Sequence, residues 1–224
     1  MALAFVEEHN MKKCIYHLPI SGLTLSGLLL VSPITQANEQ ETVALAVAKA
    51  VDTMVRSTRA TYTKTVVTKL KKDGKGAKQK SNKLKGFVPL PAQFVRNVAI
   101  HSEASGKANF TVALRSAWNL NLEQGLQDEF ERQGWDYLMQ QQAGQADNLA
   151  SINWQPYTQI STIDGVQTLR YFSADTAVGG ACVSCHNNWE GRDMIKAVRT
   201  DAGLEAGKQF VLTNSWVRCR LAYP

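Results

Sequence analysis

Between Glu39 and Lys72 the side chains Val43, Val47, Ala50, Met54, Tyr62, Val66 and Leu70 recur every three or four positions with polar residues between them. That period belongs to an amphipathic helix, and it predicts one long helix that ends at Asp73-Gly74. The run KKDGKGAKQKSNKLKG holds seven lysines and three glycines from Lys71 to Gly86, which predicts an exposed, solvated loop. Proline is tolerated in a first helical turn, so Pro91 is expected to open a shorter helix through Phe94, Val95 and Val98, with His101 at its far end. The period then changes to two: in NFTVALRS, Phe110, Val112 and Leu114 alternate with smaller or polar residues, as in a half-buried strand. Asn121 is placed to cap another helix with Leu122, Leu126, Phe130 and Leu138 as its stripe. Glu123, Asp128, Glu129 and Glu131 fall in its early turns, where the helix dipole favours acids. YTQISTIDGVQTLRYFS sets two β-prone runs around Asp164-Gly165, a strong hairpin signal. The tail, KQFVLTNSWVRCRLAYP, has β-prone residues for one or two more strands. Together these elements predict an α+β fold with helices packed on an antiparallel sheet and a long N-terminal helix.

The first residues change the picture of where the domain begins. From Met11 the chain reads MKKCIYHLPISGLTLSGLLLVSPITQANEQ, in which Lys12 and Lys13 lead an apolar run and Thr35 and Ala37 suit a signal peptidase. This predicts a signal peptide over residues 1–37 and one domain over 38–224, with the tail after about residue 210 least well defined by pattern. Glu7 and Glu8 are foreign to a basic leader, so Met11 is the expected start. The apolar run is short and broken by Gly22, Gly27 and Pro33, which favours cleavage over anchoring, with no membrane span afterwards and a periplasmic location. The chain has 224 residues, 44% hydrophobic and 20% charged, an ordinary balance for a globular protein. Cleavage removes two lysines and two glutamates and leaves the net charge at +6. With no RNA-binding or helix-turn-helix signature beside it, this modest basic excess does not predict a nucleic-acid partner.

Cleavage also leaves Cys182, Cys185 and Cys219 as the thiols and His101 and His186 as the imidazoles. Three of these five stand together in GGACVSCHNNW, Gly179 to Trp189. A disulfide within Cys-x-x-Cys leaves His186 unexplained and closes a very small loop. A thioredoxin-type pair belongs at the start of a helix after an early strand of a βαβ unit, whereas this one lies near the C-terminus. A zinc site needs four ligands, and His101 and Cys219 are spaced unlike a compact zinc knuckle. Covalent haem uses the whole cluster: Cys182 and Cys185 add to the vinyl groups and His186 binds iron. Gly179 and Gly180 then keep side chains away from the macrocycle, and an exported chain reaches the compartment where attachment occurs.

The segments YTKTVVTKL (Tyr62 to Leu70), KGFVPLPAQFVRNVA (Lys85 to Ala99), SAWNLNLEQGLQDEFERQGWDYL (Ser116 to Leu138) and LRYFSADTAVGGACVSCHN (Leu169 to Asn187) carry a family resemblance. They resemble the c-type haem family of bacterial periplasmic sensor domains, long described as a domain of unknown function. The resemblance covers most of the mature chain and implies a PAS-like antiparallel sheet with flanking helices and a role in redox or small-ligand sensing. Some relatives supply a second iron ligand from a cysteine in the N-terminal helix; Glu39 to Lys72 contains no cysteine. The family also closes on a glycine-containing strand, from which NSWVRCRLAYP departs.

The expectation is therefore an exported protein with one covalent haem c, sensing redox state or a diatomic gas and passing its response to a separate protein partner. The alternative is a periplasmic electron-transfer cytochrome. A haem peroxidase is not expected, because His101 alone is poor distal acid–base machinery. Candidates for the second iron ligand are His101, Met54 and Met139. Phe94, Phe110, Trp118, Trp135, Tyr171 and Trp189 are expected in the haem pocket or the core, and Arg170, Arg192 and Lys196 are candidate propionate partners. Cys219 is expected to be free or joined to another chain.

Overall fold

A computed structural model describes residues 33–145, 150–177, 179–212 and 215–223. Residues 1–32, most of the expected signal peptide, lie outside them. No helix among the described residues is long and apolar enough to cross a membrane.

The long N-terminal helix forms as the period predicts. It runs as α1 (Pro33–Thr61), passes through a π-helical turn at Tyr62–Val67 and ends as α2 (Thr68–Lys72). The face that packs is not the apolar stripe that announces the helix. Val43 and Met54 are 53% and 66% exposed, while the buried positions are Ala44, Ala48, Asp52, Arg59, Thr63 and Val67. Small Ala44 and Ala48 let the helix lie close on the sheet, and the buried polar groups have partners there: Asp52 accepts from the Ser173 hydroxyl at 2.7 Å and the Tyr171 hydroxyl at 3.3 Å. Arg59 pairs with Asp175 and donates to the Thr176 carbonyl at 2.7 Å. Polarity satisfied across the interface outweighs the apolar count.

A two-residue parallel bridge, β1 (Gly76–Ala77) with β2 (Phe87–Val88), closes the base of the lysine-rich loop. Helix α3 (Pro91–Ala104) starts on Pro91 as expected, with the Gln93 side chain accepting from the Leu90 N–H. Strand β3 (Thr111–Arg115) follows. The next helix begins later than Asn121 suggests. Asn121 caps one 3-10 turn, Leu122–Gln124, and α4 (Glu129–Ala143) starts at Asp128, whose side chain accepts from the Glu131 N–H. Asp128 is also held by Arg170 at 2.5 Å, a tertiary contact that fixes the cap.

Strands β4 (Tyr157–Ile163) and β5 (Val166–Thr176) form the expected hairpin. Asp164 and Gly165 have φ of 51° and 80°, which a two-residue primed turn requires. Two helices then follow, α5 (Gly180–Glu190) and α6 (Asp193–Asp201), before the tail enters the sheet as β6 (Ser215–Tyr223). The order is β3-β6-β5-β4, antiparallel throughout, so the last strand lies inside the sheet rather than at its edge. The backbone of the tail thus takes a central place.

Alternation along β5 divides the core. Leu169 and Tyr171 pack with Ala44 and Ala48 of α1, and Phe172 and Ala174 pack with Phe130, Trp135 and Leu138 of α4. The sheet is thus covered by a helix on each face. Trp118, Ala177 and Phe210 extend the second cluster towards α5.

Candidate functional site

The Cys-Cys-His cluster lies on α5, directly after β5 leaves the core. Gly179 takes the extended N-cap position, and its carbonyl accepts from the Cys182 N–H at 3.0 Å. Cys182, Cys185 and His186 therefore stand at i, i+3 and i+4, on one face of a regular helix. No disulfide joins Cys182 to Cys185.

Two sets of contacts fix this helix, and a third holds the strand that leads to it. At its C-terminal end Glu190 forms a fully buried pair with Arg199 of α6 at 2.7 Å, and Arg199 also donates to the Asn119 carbonyl at 3.0 Å. In the middle, Asn187 makes a two-way clamp on Phe210, donating to its carbonyl at 3.0 Å and accepting from its N–H at 2.8 Å. At the entry, Arg59 of α1 grips Asp175 and Thr176 of β5. Burial raises the pKa of Asp175 against the opposing pull of Arg59.

His186 is half-buried with its ring edge-on to Phe210, centroids 6.1 Å apart, and Phe210 in turn meets Trp118 at 5.7 Å. Burial, reinforced by the positive charges of Arg59 and Arg199, lowers the His186 pKa to about 4, so the imidazole is neutral at pH 7. Cys182 packs on the apolar cluster, whereas Cys185 is an exposed residue. Partial desolvation of its thiol, then Cys182, raise the Cys185 pKa, opposed by Lys71 and Arg192. A raised pKa is the opposite of what a thiol–disulfide catalyst needs, and an antiparallel sheet is not a βαβ unit. Among the described residues no group of three or more His, Cys, Asp and Glu has the arrangement of a metal cage.

The expected partners of the cluster separate clearly. Met54 and His101 are exposed, on α1 and α3. Met139 borders the same apolar cluster as Cys182. Arg170 is committed elsewhere, paired with Asp128 at 2.5 Å and stacked over Phe130 at 4.1 Å. Arg192 lies over the Trp189 ring at 3.8 Å, and Lys196 reaches Asp193 at 3.7 Å. Of the aromatics, Trp118 borders the His186–Phe210 contact. Trp135 is core, Tyr171 and Phe110 face α1, and Phe94 stacks on Tyr62 at 4.3 Å. The side chain of Cys219 lies outside those described, although its backbone pairs with Leu114 and Ser173.

Sequence reasoning missed Phe210, Arg59, Arg199 and Lys71. The first three act only through contacts between distant segments, and Lys71 is hidden in a lysine run whose end happens to approach Cys185. A separate cavity of about 290 Å³ lies between α3 and β3, lined by Val95, Ala99, Ile100, Leu114, Arg96 and Glu123 among others, and it contains no residue of the cluster.

No curated protein and no solved structure matches the chain. Its matched residues, 32–209, take in the N-terminal helix, the hairpin, the α5 cluster and its clamp up to the residue before Phe210, and their match to a family model places this chain in the Tll0287-like family.

Proposed function

We propose that this is an exported, periplasmic monohaem c-type protein that acts as a redox or small-ligand haem sensor through a separate partner protein. In this reading Cys182 and Cys185 form the thioether links and His186 binds the iron. The observation that carries it is the disposition of these three side chains on one face of α5, with the imidazole kept neutral against Phe210.

The surrounding residues fit the group. A neutral imidazole is the form that ligates metal. A side chain at Gly179 or Gly180 would meet open space, leaving room beside the thiols. Lys71 and Arg192 place positive charge near Cys185, which suits anionic propionates better than Arg170 does. Haem supplies an iron that changes oxidation state or takes a diatomic ligand. The chain contributes orientation: Asn187 fixes Phe210 against His186, and Glu190–Arg199 fixes the helix end. The PAS-like assignment belongs to the same proposal and is supported by an antiparallel sheet with helices on both faces behind a long N-terminal helix. Met139 is the favoured candidate for a second ligand, because Met54 and His101 stand in solvent. That position is expected to be open or weakly held. The electron-transfer reading draws support from the exposure of Cys185, which would bring one haem edge to the surface.

Expression in an export-competent host with haem c maturation should give protein that keeps one haem after denaturation, by peroxidase staining and intact mass. Cys182→Ser with Cys185→Ser should abolish this, and a wild-type preparation without covalent haem would refute the proposal. Carbon monoxide should shift the reduced spectrum. A low-spin spectrum indifferent to carbon monoxide would instead favour electron transfer, and a Met139→Ala protein that becomes high-spin would identify the closing ligand.

A further inference from the structure

Among the described residues little covers the outward face of α1, where Val43 and Met54 are 53% and 66% exposed, yet it is built like a packing surface. Val43, Val47, Ala50, Met54, Ser57 and Thr61 follow one another at alternating four- and three-residue steps, the spacing of a coiled-coil seam. Ala46, Thr53 and Ala60 flank the seam and are also uncharged. From Thr42 to Thr63 the charged residues are Lys49, Asp52, Arg56 and Arg59. Asp52 and Arg59 are buried on the sheet side, and Arg56 reaches back to Asp52 and the Ala174 carbonyl. A solvated helix face ordinarily carries more charge than Lys49 and the half-exposed Arg56 left here.

At its C-terminal end the seam runs into a groove of about 380 Å³ formed by Thr58, Thr61, Tyr62, Thr65, Val66 and Phe94, with Ser57 at its edge. The Tyr62 ring lies stacked on Phe94, and its hydroxyl is tied to the Pro89 carbonyl at 2.8 Å, so this floor is already rigid. Val98, 47% exposed and one turn beyond Phe94 on α3, widens the apolar patch.

We propose that a second copy of this chain covers this face, in an antiparallel two-fold dimer centred on Met54, with Val43 and Val47 of each copy seated in the groove of the other. Charge selects the direction. Glu39 and Glu41 lie at one end of the seam and Lys64, Lys69 and Lys72 at the other. A parallel pair sets acid against acid and lysine against lysine, whereas the antiparallel pair sets Glu39 opposite Lys69. Its rungs then bring Val43 to Thr65, Val47 to Thr61 and Ala50 to Thr58, valine against groove at each end. A two-fold axis satisfies both copies with the same contacts. The seam from Glu39 to Lys69 is about 45 Å long at ~1.5 Å per residue. At a helix width of about 10 Å it buries on the order of 900 Å² in total. Phe94 and Val98 raise that toward the ~1,000 Å² expected of a specific interface. The same helix holds Asp175 through Arg59, on the strand that leads to the motif helix. The dimer itself does not depend on haem.

The test uses the full purified chain. Sedimentation of wild type at tens of micromolar should give twice the chain mass. Met54→Glu should weaken the dimer at least tenfold with an unchanged circular dichroism spectrum, because Met54 is exposed in the single chain. In a Cys219→Ser background, Met54→Cys should crosslink between copies on mild oxidation, above the level of the parent, and Val43→Cys should not. A monomeric wild type overturns the proposal and leaves the face to another occupant. Crosslinking at Val43→Cys comparable to that at Met54→Cys overturns it in favour of a parallel pair.

Discussion

Glu190→Ala is expected to lower the free energy of unfolding by about 3–5 kcal/mol, read as a fall in the urea midpoint at unchanged slope. Glu190 and Arg199 are 0% and 1% exposed, and the carboxylate receives both the Nε and Nη2 hydrogens of Arg199. Removing the acid leaves a guanidinium in the interior with the Asn119 carbonyl as a remaining acceptor. The large cost comes from that stranded charge more than from the lost attraction. Replacing both partners by Met should therefore recover much of the stability, since well-packed apolar residues often equal a buried ion pair. A double replacement no better than Glu190→Ala would show that the pair itself, not the stranded charge, sets the stability. Glu190 is also the last residue of α5, so the single substitution should reduce haem retention as well if the proposed site is correct.

Gly134→Ala should destabilise by up to about 2 kcal/mol although alanine is the better helix former. Gly134 lies inside α4, where alanine gains roughly 1 kcal/mol in propensity. A Cβ there would stand 2.7 Å from Phe172 Cδ1 and 3.0 Å from its Cγ. Phe172 is 0% exposed on strand β5 and meets Phe130 edge-on at 6.3 Å, so its ring has little room to retreat. Overpacking of this kind costs about 1–3 kcal/mol, enough to reverse the propensity gain. Adding Phe172→Leu should make the alanine substitution less harmful than it is in wild type, measured as a double-mutant cycle by urea unfolding. Additivity of the two changes would mean that the contact does not control the effect.

The sequence by itself determined what depends on neighbours a few positions away. The three- and four-residue period gives the N-terminal helix, Asp164-Gly165 places the hairpin turn and Pro91 opens α3. Each is a backbone preference or a periodicity, readable without knowing what lies opposite. Only the tertiary structure decided which side of α1 is buried, because Asp52 and Ser173 meet across 121 positions and a count of apolar residues points to the other face. It moved the start of α4 from Asn121 to Asp128, where Arg170 of β5 supplies a second partner for the cap. It placed the tail between β3 and β5, since antiparallel pairing is carried by backbone groups that nearly any side chain leaves free to bond. It also gathered Arg59, Glu190, Arg199 and Phe210 around the motif helix. Burial makes those contacts strong by removing competing water, and burial is a property of the assembled chain.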